Sequence, residues 1–406
     1  MRVAHLSLTD FRNYPTAELA LCEGPNLIIG RNGQGKTNLV EAIGYFSTLR
    51  SHRVSGDAAL IRAGADQASA RMRVEASGRS VLLEIQINRD RQNRASVNRN
   101  PVRPRELMRW FASVAFVPED LGIVRGDPAG RRRFLDDSLI VRHPIAAGTL
   151  SDYERVVRQR TALLKSARKS GVRSLGAALE VWDDQLVTHG SQIMLARREL
   201  VRDLTPALRT DYEALVGQDH RPDLGISESV YSETDVSRET DGVSELAEVS
   251  RETLMEHFRR ALEEVRSREI DRGVTLIGPH RDDLLLGLNA LPVKGYASHG
   301  ESWSFALSLK MALANILREE SPAGDPVIVL DDVFAELDRG RRERLMSAVS
   351  GFEQVIVTAA VEEDVPDSVE WNRTLIEAGR IMDESDSLGT DDTFDTDDIV
   401  EGAGEE

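Results

Sequence analysis

The feature that most constrains the fold of this chain is a glycine-rich segment between an apolar run and a predicted helix. Residues 30–37 fit the pattern Gly-x-x-x-x-Gly-Lys-Thr, after a predicted strand at 26–29 that ends in three apolar residues and before a helical pattern at 38–49. In this context the pattern is typical of a loop that binds nucleotide phosphates. The residues that we expect to bind the nucleotide here are Gly30, Arg31, Asn32, Gly33, Gln34, Gly35, Lys36 and Thr37.

The residue types in this loop match the chemistry of a phosphate chain. Glycines let successive backbone N–H groups turn toward phosphate oxygens, and the following helix adds the positive end of its dipole. Lys36 supplies a point charge for the outer phosphates, and the Thr37 hydroxyl can ligate Mg²⁺. A chance match is the alternative, and the correct flanking elements argue against it.

A second element has the form of the metal-binding strand of nucleotide hydrolases. Residues 327–330 are four consecutive apolar residues, which predict a buried strand, and Asp331 and Asp332 follow them. We expect Asp331 to hold Mg²⁺ through water beside Thr37, and Asp332 to orient or deprotonate the attacking water. An ordinary aspartate pair at a strand-to-turn connection is the alternative, but the phosphate loop favours the catalytic interpretation.

Two further segments flank that strand. Ser298, Gly300 and Glu301 lie before a helical pattern at 302–318, and a Glu-Leu-Asp segment ending in Asp338 follows the carboxylates. Taken alone, the first segment could be a helix N-cap with a polar partner three residues later. The order Ser-x-Gly-Glu, helix, Asp-Asp strand, Glu-Leu-Asp is, however, the order found in ATP-binding-cassette ATPases.

Several segments resemble the RecF family, a group of bacterial DNA replication and repair ATPases on the SMC side of the ATP-binding-cassette superfamily. The similar segments are residues 8–14, 32–43, 51–53, 118–121, 131–136, 278–283 and 330–338. The resemblance covers about residues 1–360. It implies an α/β fold, in which an ATP-binding-cassette type P-loop ATPase head contains an inserted α-helical domain.

The sequence departs from the family pattern at a few positions. Arg31 and Glu301 are local variants of the phosphate loop and of the signature segment that begins at Ser298. Asp338 falls in the D-loop of the pattern. Thr358, followed by two alanines, stands in place of the usual switch histidine, so the residue that senses the γ-phosphate is left open.

The resemblance implies a mechanism in which two heads sandwich two ATP molecules. Each ATP would sit on Lys36 of one chain, and Ser298 and Gly300 of the other chain would contact its γ-phosphate. Arg12 and Asn13 would lie beside the nucleotide. ATP would thus join two copies of the chain into a homodimer, and hydrolysis would release them.

The resemblance also implies a weak ATPase that is stimulated by DNA and acts as a switch. DNA would lie across the joined heads, held mainly by contacts from arginine to phosphate. The implied role is recombinational repair and replication restart on gapped or junction DNA, with double-stranded and single-stranded parts. The implied protein partners are RecR and RecO, which help to load RecA.

The length of 406 residues leaves room for more than one domain. We assign the ATPase head to residues 1–117 and 272–382, and a helical insert with a polar loop near 221–253 to residues 118–271. Residues 383–406 contain eleven acidic residues and no basic one, and we predict that this tail is disordered.

Periodicity within these regions gives further expectations. Leucine or isoleucine recurs every seven residues in the insert, which predicts a packed helical core, at Leu179, Leu186, Ile193 and Leu200. Alternation in period two between 72 and 98 predicts antiparallel strands, and the run 274–277 predicts another strand. A pentapeptide at 236–240 recurs at 249–253, and its role is left open.

The net charge of −17 argues against a nucleic-acid partner, but the tail carries most of that charge. Two basic stretches remain elsewhere, and a solvated surface is the alternative explanation for both. The first contains Arg89, Arg91, Arg94, Arg99, Arg103 and Arg105. The second contains Arg155, Arg158, Arg160, Lys165, Arg168, Lys169 and Arg173.

Cysteine content and hydropathy predict where the protein works. Cys22 is the only cysteine, which favours a reducing cytoplasm, and no apolar run reaches the roughly 18 to 20 residues of a membrane span. Two other functions share some of the motifs. An ATPase subunit of a membrane transporter would share the loop and carboxylates, and a structural SMC-type protein would tether DNA with arms longer than this insert.

Overall fold

The computed structural model describes residues 1–170, 176–231, 249–377 and 379–382, so predictions about the acidic tail lie outside the described residues. The strands are β1 (Arg2–Phe11), β2 (Tyr14–Ala20), β3 (Gly24–Ile29), β4 (Gln67–Ala76), β5 (Arg79–Asn88), β6 (Arg94–Val97), β7 (Asn100–Val102), β8 (Ser113–Phe116), β9 (Asp223–Ser227), β10 (Asp283–Leu288), β11 (Leu291–Pro292), β12 (Val327–Asp331), β13 (Gln354–Ala359), β14 (Asn372–Glu377) and β15 (Arg380–Met382). The α-helices are α1 (Lys36–Thr48), α2 (Leu121–Arg125), α3 (Pro128–Arg142), α4 (Ala146–Ser170), α5 (Gly176–Val216), α6 (Arg251–Arg272), α7 (Val293–Tyr296), α8 (His299–Glu320) and α9 (Arg339–Val349).

A largely parallel sheet forms the centre of the head, with the strand order β15-β14-β3-β13-β12-β8. Strand β12 is buried along its whole length, as expected for a strand covered on both faces. Parallel strands bring their carboxyl ends to one edge. There Asp331 of β12 pairs in register with Thr358 of β13, which pairs with Ile28 of β3. The phosphate loop leaves β3 at this edge, so the sheet brings the two predicted motifs together.

An antiparallel sheet covers the other side of helix α1, with the strand order β2-β1-β4-β5-β6-β7. Its alternating residues turn one face inward, so that Met72 of β4 and Ile85 of β5 are buried in one cluster with Leu39 and Phe46 of α1. The antiparallel strands predicted between 72 and 98 are therefore confirmed. The two sheets enclose α1, whose N-terminus meets the phosphate loop.

The helical region shares a hydrophobic core with the head. Every member of the seven-residue repeat on α5 is buried, as predicted, from Leu179 to Leu200. The first half of α5 packs against α4 and α6, where Leu186 joins the cluster of Phe258. The second half packs against α8, where Leu208 lies in one cluster with Ala312. The α/β fold class with inserted helices is confirmed, and α5 connects the insert directly to the centre of the head.

The structure differs from two of our sequence predictions. Residues 274–277 do not form the predicted strand, because the Leu276 N–H group donates to the Glu269 carboxylate (2.7 Å) rather than to a neighbouring strand. The strand of this region is β10, six residues later.

Strand β9 lies inside the segment predicted as a polar loop near 221–253, where it pairs with β10. The second pentapeptide copy begins α6, with Ser250 as its N-cap, and the first copy lies outside the described residues.

A buried cluster of charges ties α4, α5 and α6 together. The Arg160 guanidinium is fully buried and donates to Asp183 Oδ1 (2.7 Å) and to Glu269 Oε2 (2.6 Å). Arg160 also donates to the Thr275 hydroxyl (3.2 Å), and Arg266 donates to Asp183 Oδ2 (2.9 Å). Removal of one partner from a buried ion pair of this kind strongly destabilises a protein, because the other charge stays buried without its partner.

We therefore expect Glu269→Gln to lower the free energy of unfolding by about 3 kcal/mol, because the Arg160 charge then has one carboxylate partner fewer. Urea unfolding of the whole chain measures this change. The control is Asp152→Asn, which breaks an exposed pair with Arg155 (3.0 Å) and should cost less than about 1 kcal/mol. Equal unfolding midpoints for both variants would contradict the assigned role of the buried cluster.

Candidate active site

The phosphate loop joins β3 to α1, and all three of its glycines are required by its backbone. A Cβ atom on Gly30 would lie 2.6 Å from the Ile376 carbonyl oxygen, so no side chain fits there. Gly33 and Gly35 have φ angles of +83° and +110°, which side-chain-bearing residues rarely adopt. Gly30 thus lets the loop approach β14 closely, and Gly33 and Gly35 supply the two positions with positive φ.

The N-terminus of α1 is arranged to receive an anion. Gly35 occupies the N-cap position and no side chain caps the helix, while its first turn contains no acidic residue. The first N–H groups of a helix have no partner within the helix, so a phosphate group can accept from them. Lys36 is 3% exposed, and its Nζ atom donates to the Gly30 carbonyl (2.8 Å) across the loop.

The two carboxylates lie next to this loop, as predicted. Asp331 Oδ1 accepts a hydrogen bond from the Thr37 hydroxyl (3.2 Å), and Asp332 Oδ1 lies 3.9 Å from Lys36 Nζ. Burial raises the pKa of Asp331 to about 6, and the Asp332 charge contributes, although a hydrogen bond from Thr358 opposes the shift. Burial also raises the pKa of Asp332, and Lys36 opposes that shift.

The oxygen atoms of Thr37 and Asp331 form a donor set that fits Mg²⁺. Magnesium in nucleotide hydrolases takes one or two protein oxygens and completes its octahedron with phosphate and water. Among the described residues there is no group of three or more histidine, cysteine, aspartate or glutamate side chains that could hold a metal by themselves. A sparse oxygen site beside a phosphate loop therefore suits a metal that arrives with its nucleotide.

The structure reveals a role for Thr358 that sequence reasoning did not find. Its hydroxyl donates to Asp331 Oδ1 (2.6 Å) and accepts from the Asp332 backbone N–H (2.9 Å). Asp332 has a φ angle of +51°, so this bond holds a backbone conformation that an aspartate adopts at some cost. The signal in the sequence was a polar residue near the end of an apolar strand, in the place of the switch histidine.

Arg12 and Asn13 both lie near the loop but have different surroundings. Arg12 donates through Nε (2.8 Å) and Nη2 (2.6 Å) to the Glu41 carboxylate, whose side chain is fully buried on α1. Asn13 donates to the Gln34 carbonyl (3.3 Å) and accepts from Asn38 (2.7 Å). Asn13 thus contacts the phosphate loop directly, whereas Arg12 binds Glu41 of α1, the helix that follows the loop. Nucleotide contact by either residue stays a prediction.

The segment at 298–301 forms a helix cap. The Ser298 hydroxyl accepts from the Glu301 N–H (3.2 Å), and the Glu301 carboxylate accepts from the Ser298 N–H (2.8 Å), so both residues form a capping box on α8. Asp338 similarly caps α9 by accepting from the Arg341 N–H (3.0 Å). Ser298 and Asp338 are both exposed. A cap leaves the serine hydroxyl proton available to another acceptor, so the cap and the signature interpretations are compatible.

The polar contacts of the signature segment go to residues outside the phosphate loop of its own chain. Within the described part of the protein, no hydrogen bond or ion pair joins residues 298–301 to residues 30–37. Residues 298–301 instead contact their surroundings through the Glu301 carboxylate, 3.7 Å from His220 Nδ1, and through His299, 3.2 Å from Arg125 Nη1.

These features define the class of the protein: a P-loop ATPase head of the ATP-binding-cassette type, with inserted helices. The family model described as RecF/RecN/SMC N terminal domain matches residues 2–380. Within this group, the chain belongs to the RecF family.

Individual relatives agree with this assignment. The DNA replication and repair protein RecF of Clavibacter michiganensis subsp. michiganensis (strain NCPPB 382) is 55% identical, over 94% of this chain and 96% of the relative. The protein of the same name from Leifsonia xyli subsp. xyli (strain CTCB07) is 53% identical, over 95% of this chain and 100% of the relative. A solved structure of the recombination mediator protein RecF with ATP, of the RecFOR pathway, superimposes with a TM-score of 0.81 at 26% identity, covering 94% of this chain and 96% of that chain.

Family membership decides against the alternative of a transporter ATPase subunit. In the residues that the structure describes, no helix has both the length and the apolar character needed to cross a membrane. The alternative of a long-armed SMC tether is also not supported, because α4 and α5 have 25 and 41 residues and α5 returns to pack on the head.

The raised pKa of Asp331 predicts a conflict between stability and metal binding. Its folded-state pKa of about 6 exceeds the ordinary 3.8, so the ionised carboxyl destabilises the metal-free fold above about pH 6. This penalty shrinks as the pH falls from about 6 to 3.8 and is absent below 3.8, where both states hold the proton. Asp331→Asn should therefore stabilise the nucleotide-free protein at neutral pH, by up to about 3 kcal/mol, and lose the stabilisation that Mg²⁺ and ATP give.

Thermal unfolding with and without Mg²⁺ and ATP measures both effects. The control is Asp211→Asn, because burial raises the pKa of Asp211 to about 6 as well, far along the chain on α5. The control should also gain stability, yet keep its response to Mg²⁺ and ATP. A full response in Asp331→Asn would contradict the metal assignment.

Proposed function

We propose that the protein is an ATP-dependent DNA-binding protein of recombinational repair and replication restart, working as a homodimeric switch in the cytoplasm. The observation that carries this proposal is that one chain contains two groups of site residues with no hydrogen bond or ion pair between them among the described residues. Lys36, Thr37 and the two carboxylates form one half, and the exposed caps at Ser298 and Asp338 form the other. A complete nucleotide site would then combine the first half of one chain with the second half of another copy.

The first half-site would bind ATP and hydrolyse it slowly. Lys36 and the loop N–H groups would hold the phosphates, and Thr37 and Asp331 would hold Mg²⁺, which neutralises developing charge when bound. Asp332 would orient the attacking water and accept its proton. Its position beside Lys36 and its bond to Thr358 support this assignment.

The second half-site would contact ATP held by the partner. Ser298, Gly300 and Glu301 would lie at the γ-phosphate of the partner's nucleotide, and Asp338 would line the same interface. A two-fold symmetric contact of this kind forms both sites together. Because only the joined state binds ATP from both sides, ATP stabilises the dimer and hydrolysis releases it.

The first basic stretch is the better candidate for DNA contacts. All six of its arginines are exposed, and none has a carboxylate within 4.0 Å among the described residues; they are Arg89, Arg91, Arg94, Arg99, Arg103 and Arg105. In the second stretch, Arg160 is buried, and Arg155 and Arg158 pair with carboxylates of their own helix. Unpaired exposed arginines can replace counterions on DNA phosphates.

The names of the relatives support the biological setting. They are called DNA replication and repair proteins, and the solved structure with ATP is described as part of the RecFOR pathway. We therefore propose gapped or junction DNA as the substrate, RecR and RecO as partners, and RecA loading as the outcome. DNA stimulation of a weak ATPase belongs to the same proposal.

Replacing Ser298 with Arg tests the two-headed arrangement. The chain should still bind ATP, because residues 30–37 are unchanged, but ATP-dependent association should weaken at least about tenfold. A large cation would then occupy the space meant for the partner's nucleotide. Sedimentation or light scattering with ATP measures association, and ATPase and DNA-binding assays follow its consequences.

The matched control is Ser250→Arg, the same substitution at another serine N-cap. The Ser250 side chain accepts from the Thr253 N–H at the start of α6, so both variants lose a cap worth about 1 kcal/mol. Only Ser298→Arg should lose ATP-dependent association. If the two variants behave alike, Ser298 is a helix cap and nothing more, and the two-headed mechanism fails.

The acidic tail should weaken DNA binding without adding specificity. Eleven carboxylates in residues 383–406 compete with phosphates for the exposed arginines. Deletion of the tail should tighten DNA binding at low salt and steepen its salt dependence. The control is a tail of equal length with asparagine and glutamine in place of the acids, which should behave like the deletion. Superimposable binding curves across salt concentrations would contradict this role.

A further inference from the structure

Arg341 lies directly against the signature segment. A Cβ atom built on Gly300 would lie 2.5 Å from Arg341 Nη1 and 3.1 Å from Nη2, so the guanidinium occupies the space that the glycine leaves. Arg341 belongs to the first turn of α9, and its backbone N–H is held by Asp338. Helix α9 therefore places a cation at the first turn of α8, beside the surface that would meet a second chain.

The three arginines at the start of α9 have different surroundings. Arg339 is 92% exposed and pairs with Glu343 of its own helix. Arg342 donates to the Leu337 carbonyl (2.9 Å) and to Asp364 (3.2 Å), so its guanidinium is already bonded within the chain. The Arg341 side chain is 24% exposed, and its nearest carboxylate is Asp338 Oδ2 at 3.5 Å. In the described chain, no hydrogen bond is formed by the Arg341 guanidinium, so its donors can serve another acceptor.

The signature segment needs such a cation if it is to meet a phosphate. Glu301 places a carboxylate in the first turn of α8, and the bonds from Ser298 hold the pKa of that carboxyl below its usual range. An incoming γ-phosphate would therefore approach a fixed negative charge. Arg341 lies close enough to lower the Glu301 pKa as well, and it can offset that charge at the point of contact.

We propose that Arg341 binds the γ-phosphate of the ATP molecule held by Lys36 of a second copy of this chain. The inference rests on the proposed two-headed function and adds a residue to it. A guanidinium presents a planar fork of N–H donors that matches two phosphate oxygens, and it stays charged at any physiological pH. Asp338 and Gly300 give the side chain its position, which explains why a glycine faces it.

Arg341→Gln tests this inference. ATP binding by the isolated chain should be unchanged, and ATP hydrolysis should fall at least about tenfold, because the phosphate loses a charged contact from the partner. Arg339→Gln is the control, since it removes an arginine from the same turn that, among the described residues, pairs with Glu343 of its own helix, and it should hydrolyse ATP normally. Arg341→Lys should be intermediate, because it keeps the charge but not the fork. Equal hydrolysis by both glutamine variants would overturn the inference.

Mixing two inactive chains distinguishes action across the interface from a bracing role within one chain. A mixture of Arg341→Gln and Lys36→Ala chains contains dimers with one complete site, formed by Lys36 of the first chain and Arg341 of the second. Hydrolysis above the sum of the separate chains is expected. If Arg341 acts only within its own chain, the sole chain that binds ATP lacks it, and no recovery occurs.

A second mixture separates failure of this inference from failure of the proposed function. Ser298→Arg mixed with Lys36→Ala should also recover hydrolysis, through Lys36 of the first chain and Ser298 of the second. Recovery in this mixture, but not in the Arg341→Gln mixture, would overturn the role of Arg341 alone. If neither mixture recovers and no association with ATP occurs, the two-headed function itself is wrong.

Discussion

One carboxylate oxygen, Oδ1 of Asp331, accepts hydrogen bonds from both sides of the nucleotide-binding edge. The Thr37 hydroxyl reaches it from the start of α1, and the Thr358 hydroxyl reaches it from β13. Because Thr358 also accepts a hydrogen bond from the Asp332 N–H group, the positions of Asp331, the proposed metal ligand, and of Asp332, the proposed water-orienting carboxylate, depend on each other. Helix α1, which follows the phosphate loop, and strands β12 and β13 are therefore linked through the Asp331 carboxylate.

This arrangement explains why the site is built at a cost to the free protein. Asp331 is almost completely buried, and the resulting rise in its pKa means that its charge is poorly compensated without a cation. Mg²⁺ and the nucleotide would supply that compensation, so binding and folding stability are linked. Glu301 in the signature segment differs from Asp331, because hydrogen bonds from Ser298 lower its pKa and stabilise its charge. It is a compensated carboxylate at a helix N-terminus that, in the proposed dimer, would meet a phosphate.

The sequence predicted the parts of the site that follow local rules. The phosphate loop and the buried strand before Asp331 were found because their spacing and apolar runs carry the signal, and the structure places them together. Two contacts could not be found in this way. The bonds of Thr358 to the two aspartates depend on strand register, and the contact of Arg341 with Gly300 depends on packing between distant segments. The run 274–277 was wrongly predicted as a strand for the same reason, since a side-chain carboxylate takes its backbone N–H group.

The central claim is that ATP joins two heads through half-sites on different chains. The most direct test is the molar mass of Asp332→Asn in solution with ATP, with ADP and without nucleotide. This variant should bind ATP and hydrolyse it slowly, so that the bound state persists during the measurement. The mass of a dimer is expected with ATP, and the mass of a monomer in the other two conditions. A monomer that has ATP bound would contradict it.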